Sequence, residues 1–338
     1  MIKDAIVKLV EGTSLSQQEA EGAMAMIMEG QATPAQLSAF LIALRMKGES
    51  TDEVLGMVRA MLAKSVPVEA EGQLVDTCGT GGDSSGTYNI STAAALVAAA
   101  AGLKVAKHGN RSASSQCGSA DVLEALGVRI SLTAAQVTQC LDSVSFAFLF
   151  APAFHPAMSH AAPIRAEIGV RTVFNILGPM ANPARPQRQV LGVARPELAP
   201  LIAESLRQLG TEHAMVVHGH DGLDEISLSA PTTVYEVGAE GIRSYTIAPE
   251  EAGLERSSRD ALAGGGPEEN ARIVLDLFDG EAGPKRDALL FNAAATLVVG
   301  GKAAGLKDGV ALAAATIDGG SAQRKLAAYV EFTQALKD

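Results

Sequence analysis

The chain has no tryptophan, and its four tyrosines and nine phenylalanines make aromatics only 4% of 338 residues. Its core must therefore be built mostly from Ala, Leu, Val and Ile. Cysteine is scarce too. Cys78, Cys117 and Cys140 form no metal spacing and no even disulfide set, which fits a reducing cytoplasm. Positive charge is in the minority, with 27 Lys and Arg against 38 Asp and Glu. The net charge of −11 argues against a protein whose main task is to coat nucleic acid, although a local basic pocket fits inside an acidic whole. Long apolar runs are missing. The longest, Ala93 to Leu103, is too short to span a bilayer. Residues 1–10 carry charges where a secretory signal would be apolar, so a cytoplasmic location is expected.

What is present is a hydrophobic content of 47% with 19% charged residues, enough for a sizeable core. The length allows two domains, or one large domain with an appendage. The first ~65 residues read as short helices. Ser16 and Glu19 form a capping box ahead of Ala20 to Met28, and Ser50 and Glu53 form another ahead of Leu55 to Leu62. Thr33-Pro34 reads as an N-cap with proline at the first helical position. Ser65 to Gly72 is the best linker.

From Leu74 the pattern alternates. Strands are expected at Leu74–Thr77, Leu103–Ala106, Ala214–Val217, Thr232–Val237 and Ile242–Ile247, with Val128–Ser131 extended and Ala147–Phe150 apolar and extended. Helices are expected at Ile90–Ala101, Asp121–Leu126, Thr133–Ser143, Pro267–Phe278, Asp287–Val299, Leu306–Thr316 and from Ala322. Such alternation implies an α/β domain with a mostly parallel central sheet, beside a small N-terminal helical domain.

Two loops carry the chemistry. Asp76 to Asp83 follows the first strand, and Gly79, Gly81 and Gly82 bare its amides for phosphate oxygens. Asn89 to Thr92 then open a helix whose N-terminus offers further amides and a positive dipole end. No lysine follows Gly82, so the P-loop motif fails. Ser84 stands where the dinucleotide fingerprint needs a third glycine. Taken alone, this run is equally a tight glycine-rich turn. The second loop, Lys107 to Ser119, follows the next strand, and a right-handed crossover places it beside the first. It gathers Lys107, His108, Asn110, Arg111 and several serines, and so suits a ligand with several phosphates.

These residues resemble the anthranilate phosphoribosyltransferases. The resemblance rests on Gly79–Asp83, Asn89–Thr92, Lys107–Arg111, Ser119–Asp121, Ile164–Pro179, Ala181–Ala184 and Asp221–Glu225, in order over nearly the whole chain. It implies a helical domain over 1–68, joined by a segment near 165–185 to an α/β domain over 73–338. It also implies a homodimer through the helical domains. The implied reaction joins anthranilate to the ribose of 5-phosphoribosyl 1-pyrophosphate (PRPP) and releases pyrophosphate, in tryptophan biosynthesis. For PRPP the resemblance implies Gly79, Gly82, Asp83, Thr87, Asn89, Ile90, Ser91, Thr92, Lys107, His108, Gly109, Asn110, Arg111, Ser112, Ala113, Ser114, Ser115 and Ser119. For anthranilate it implies Gly79, Asn110 and Arg165, and for Mg²⁺ it implies Ser91, Asp224 and Glu225.

Departure of pyrophosphate asks for charge stabilisation more than for a strong base. Adjacent carboxylates such as Asp224 and Glu225 suit Mg²⁺, although an isolated Asp-Glu pair is more commonly a solvated turn. Arg165 can match the planar carboxylate of anthranilate, or be a surface helix arginine. The aromatic amine is neutral at pH 7, so no general base is assigned. His108 remains a weak candidate, His155 reads as a channel residue or a loop anchor, and Cys117 as a packing residue. Hinges are expected near Pro67 and Arg165. The rival readings are a pyrimidine nucleoside phosphorylase and a nucleic-acid-binding relative of the same architecture. The Lys107–Arg111 run does not resemble the first, and the acidic composition opposes the second.

Overall fold

The computed structural model describes residues 1–112 and 116–337. The N-terminal layer holds α1 (Ile2–Val10), α2 (Gln17–Met28), α3 (Pro34–Lys47) and α4 (Thr51–Ala63). Their starts follow the capping residues. Ser16, Thr33 and Ser50 each accept the amide three positions on, and Glu19, Gln36 and Glu53 return the bond. Glu53 also accepts the Leu15 amide at 2.9 Å and pairs with Lys47 at 2.9 Å, which ties α4 to the chain ahead of α2. Helices α2 and α4 approach closely at Gly56, where a Cβ would press into the Gln17 carbonyl and the Glu21 amide.

The α/β part runs β1 (Leu74–Gly79), α5 (Ile90–Ala100), β2 (Lys104–Gly109), α6 (Ser119–Ala125), α7 (Ala134–Val144), β3 (Phe146–Phe150) and a short α8 (Ala151–Phe154). There follow α9 (Ala162–Ile168), α10 (Phe174–Met180), β4 (Arg188–Gly192), α11 (Ala199–Gln208), β5 (His213–Gly219), β6 (Thr232–Gly238) and β7 (Gly241–Ile247). Helices α12 (Pro267–Phe278), α13 (Pro284–Val299), α14 (Leu306–Asp318) and α15 (Ser321–Ala335) complete the chain. The sheet order is β3-β2-β1-β4-β5-β6-β7, parallel through β5 and antiparallel beyond. The chain is thus a small N-terminal helical domain beside a large α/β domain with a mostly parallel sheet.

One apolar core packs α5 and α13 to α15 on one sheet face. A second runs from the helical layer through α10 and α11 to the other face. Among the described residues no helix is long and apolar enough to cross a membrane.

The expected set of strands lacks one member, and Val128–Ser131, expected as extended chain, joins no strand. It is a connector between α6 and α7 that buries Val128 and Ile130, its Arg129 amide bonded to Thr333 Oγ1 at 3.2 Å. The sheet also contains β4, which the alternation pattern does not reveal. This strand lies between β1 and β5 and is buried despite its polar start, because the Gln189 amide bonds inside the protein, to the Pro179 carbonyl at 2.8 Å.

Asp76, fully buried in β1, collects donors from three neighbours: Asn182 Nδ2 at 2.9 Å, the His108 amide at 3.3 Å and Gln189 Nε2 at 3.4 Å. Burial nevertheless pushes its carboxyl up to about 6, against an ordinary 3.8. The native state then holds a proton that the unfolded chain lacks between those values. This contribution is full below pH 3.8 and is lost as pH rises through 6.

Two outcomes are expected. Gly56→Ala should overpack the α2–α4 contact and lower stability by about 1–3 kcal/mol in a denaturant titration; unchanged stability would mean the helices slide apart freely. Asp76→Asn should lose less stability than the parent between pH 4 and 7, by about 3 kcal/mol at most. Parallel pH curves would remove Asp76 as the titrating group.

Candidate functional site

The parallel strands β1, β2, β4 and β5 all end in glycine, and their carboxyl ends form one floor. Gly79 and Gly192 are register partners on β1 and β4. A Cβ on Gly79 would strike the Asp224 carboxylate, and one on Gly192 would strike the Asp224 backbone. The two glycines leave the space into which Asp224 folds. Gly192 was not visible as a site residue, because the strand carrying it was not visible.

Asp224 Oδ2 accepts the Gly81 amide at 2.6 Å and faces the Asp83 carboxyl. Glu225 Oε1 accepts the Ser91 amide at 3.1 Å, at the first turn of α5, where the helix dipole favours an anion. Both carboxyls are held well above their ordinary range. Loss of water is the main cause, followed by the Asp83 charge for Asp224 and the Asp224 charge for Glu225. Lys107, only 2% exposed, answers them from β2. Its Nζ donates to the Thr77 carbonyl at 2.6 Å and to Ser91 Oγ at 3.4 Å, and its charge favours ionised Glu225.

Ser91, Asp224 and Glu225 are therefore brought together. Two mutually repelling carboxylates beside a hydroxyl fit a hard divalent cation. Among the described residues no group of three or more His, Cys, Asp or Glu side chains is arranged as a metal cage. A cation here would complete its shell with water or phosphate oxygens, as Mg²⁺ does.

The second loop is organised by Asp121, which takes the Gly118 amide at 2.9 Å and the Ser112 amide at 3.2 Å. Arg111 is engaged within the protein. It pairs with Asp121 at 2.8 Å and Glu124 at 2.5 Å and lies over the Phe150 ring, and these two carboxylates raise its pKa. Ser119 Oγ donates to the Asn110 carbonyl at 3.2 Å, while Asn110 Oδ1 accepts the Arg111 amide at 2.7 Å. A Cβ on Gly109 would meet the Ser119 hydroxyl and the Phe148 ring.

Asn89 does not cap α5. Its amide joins the two loops, donating to the Cys117 carbonyl at 3.1 Å and accepting from Asn270 at 2.9 Å. Ile90 and Thr92 are buried in the core, and Thr87 forms a bridge with Ala263. Cys117 packs with Val122 and Ala271. Ala113, Ser114 and Ser115 lie outside the described residues.

His108 sits next to Lys107 on β2 and so points to the other face. Its ring lies 5.2 Å from that of His155, and both Nε2 atoms are buried without a partner. Burial, then the neighbouring His155, push His108 down to about 3; burial also lowers His155. Both imidazoles are neutral at pH 7. The Arg165 guanidinium, on α9, lies 4.9 Å over the Phe174 ring and makes no hydrogen bond or ion pair among the described residues. It makes no hydrogen bond to Gly79 or Asn110 here. Arg171 was not singled out from the sequence, yet it grips the first loop, donating to the Gly82 carbonyl at 3.0 Å and the Thr80 carbonyl at 3.4 Å. A cavity of about 320 Å³ elsewhere, lined by Arg59, Met180, Arg185 and Leu206 among others, holds none of these groups.

Known proteins share this two-domain fold. Residues 3–65 match the model of the glycosyl transferase family helical bundle domain, and residues 71–323 that of the family's α/β domain. Anthranilate phosphoribosyltransferase from Symbiobacterium thermophilum is 50% identical over 99% of both chains. Its counterpart from Pelotomaculum thermopropionicum is 53% identical over 98% of this chain and 97% of its own. The crystal structure of the Thermus thermophilus enzyme superposes with a TM-score of 0.93 at 47% identity, covering 98% of this chain and all of that one. The solved structure of anthranilate phosphoribosyltransferase from Saccharomyces cerevisiae in complex with PRPP and Mg gives 0.92 at 31% identity, over 99% of this chain and 98% of that one. With both domains matched, and the match running through the glycine loop, Lys107–Arg111 and the carboxylate pair, the chain belongs to the anthranilate phosphoribosyltransferases.

Proposed function

We propose that this chain transfers the 5-phosphoribosyl group of PRPP to the amine of anthranilate, forming N-(5-phosphoribosyl)anthranilate and pyrophosphate. The observation that carries this reading is the Asp224–Glu225 pair, Asp224 buried and Glu225 half-buried, set against the bare amides of Gly79–Asp83 with Lys107 close by. A polyanion alone would be repelled there. A polyanion carrying a divalent cation would be held.

Ser91, Asp224 and Glu225 would hold Mg²⁺, whose charge offsets that developing on departing pyrophosphate. The amides of Gly79, Gly82 and Asp83, with Thr87 and the Asn89–Thr92 helix start, receive the phosphates from one side. Lys107, Gly109 to Ser112 and Ser119 would receive them from the other, while His108 faces away; Ala113, Ser114 and Ser115 belong to the same donor assignment. Arg111 contributes through its backbone and through its hold on Asp121 and Glu124.

Gly79 and Asn110 border the acceptor, and the open guanidinium of Arg165 takes its carboxylate. Arg165 approaches when the helical layer closes about the linker near Pro67 and the crossing near 165–185. His108 and His155 are neutral, so they orient the acceptor through their open Nε2 atoms and do not act as charged acids. The acceptor amine attacks as its neutral form and loses its proton after the C–N bond forms, which needs no strong base.

The two-domain division at 1–68 and 73–338 and a homodimer through the helical layer belong to the same reading. Val7, Val10 and Met46 leave apolar side chains exposed on α1 and α3, which supports the dimer surface. The three cysteines form no disulfide, in keeping with a cytoplasmic setting.

Anthranilate fluorescence should fall only when PRPP and Mg²⁺ are both supplied; consumption without either would remove the proposed reaction. Replacing Asp224 by Asn and Glu225 by Gln together should reduce turnover by roughly 100-fold or more. Arg165→Ala should raise KM for anthranilate by about 10-fold or more while moving that for PRPP far less. Equal losses for both substrates would make Arg165 structural.

A further inference from the structure

We propose that Arg171 is a positioning residue for the pyrophosphate end of the donor, and that Arg45 links it to the helical layer. The inference rests on the donor assignment above and adds two residues to it.

The geometry begins with the first loop. The Arg171 guanidinium donates to two carbonyls of one short segment, Thr80 and Gly82. In a planar trans peptide the N–H points opposite to the C=O. Holding the Thr80 carbonyl therefore aims the Gly81 amide away from Arg171, and that amide indeed lies on Asp224 at 2.6 Å. Holding the Gly82 carbonyl aims the Asp83 amide in the same general way. The guanidinium thus fixes the loop so that Gly81 is held on Asp224, at the edge of the proposed cation and pyrophosphate site.

The loop and the arginine interlock. Gly82 has φ of 74°, open to glycine, and a Cβ there would strike the guanidinium. The arginine also retains an open charge. Among the described residues it forms no ion pair; Asp83 and Asp224 act on it only at longer range, and Arg45 and Arg195 repel it. Its remaining N–H groups suit a phosphate oxygen.

The link to the helical layer is direct. Arg45, in the last turn of α3, donates from Nη1 to the carbonyl of Arg171. Arg171 also follows α9, which carries Arg165 and packs against α3. Movement of the helical layer therefore reaches the donor loop through one residue, and the acceptor arginine rides on the same segment.

The test measures both KM values, and the Kd of inorganic pyrophosphate with Mg²⁺ by calorimetry, for Arg171→Ala, Arg171→Lys, Arg45→Ala and the Arg45→Ala/Arg171→Ala pair. Arg171→Ala should raise KM for PRPP and Kd for pyrophosphate by about 10-fold or more, with KM for anthranilate within about 2-fold. Arg171→Lys keeps the charge but not the fork, and should recover part of the loss. Arg45→Ala should act in the same direction, more weakly, and add nothing to Arg171→Ala. Equal shifts in both KM values, an unchanged Kd for pyrophosphate, or full additivity of the pair would overturn the proposal. If Arg171→Ala does not fold, Arg171→Lys and Arg45→Ala carry the same comparison. Parent protein that binds pyrophosphate yet transfers nothing would sink the proposed reaction and leave this inference standing.

Discussion

The crowding of buried Asp224 and half-buried Glu225 at the carboxyl ends of β1 and β4 is the constraint on which the site depends. Loss of water raises the pKa of both, Asp83 adds to the shift at Asp224 and Asp224 to that at Glu225, and this opposes folding. They are accommodated because Gly79 and Gly192 leave space for the turn, because the Gly81 and Ser91 amides donate to them, and because Lys107 is drawn inward to face them. A core built only for stability would place apolar side chains there. A pair kept at this cost points to a ligand that brings positive charge.

Strand β2 divides the work between two sides. Alternation sends Lys107 towards the carboxylates and His108 towards His155, so one strand serves the proposed donor site and the proposed acceptor site. Asp76 joins the two sides. Its carboxylate accepts the His108 amide and is fastened by Asn182, whose amide also reaches the Ala106 carbonyl. Asn182 and Gln189 come from the crossing segment that ends in β4, so the second pass of the chain through the sheet locks the first.

Much of this was legible in the sequence, and the physical reasons differ by element. Ser16, Thr33 and Ser50 declare helix starts because capping is local: donor and acceptor sit three residues apart. The first strands, and the adjacency of the two loops, follow from hydrophobic pattern and crossover handedness. Strand β4 is not legible in the sequence because its burial depends on partners such as Pro179 and Asp76, and Gln189 reads as a surface residue without them. Arg171 is not legible for a similar reason, since its ligands are backbone carbonyls about 90 residues earlier, which leave no mark in side-chain pattern. Arg111 shows the reverse. Its charge suggested a phosphate contact, but its guanidinium is engaged by Asp121 and Glu124 one and two turns into the following helix region.

The central claim is that the crowded Asp224–Glu225 pair makes polyanion binding conditional on a divalent cation. Calorimetric titration of the protein with PRPP, in excess Mg²⁺ and again in excess chelator without anthranilate, tests it most directly. The account predicts saturable binding with Mg²⁺ and an affinity at least about 10-fold weaker without it. Equal affinity in the two conditions would contradict it.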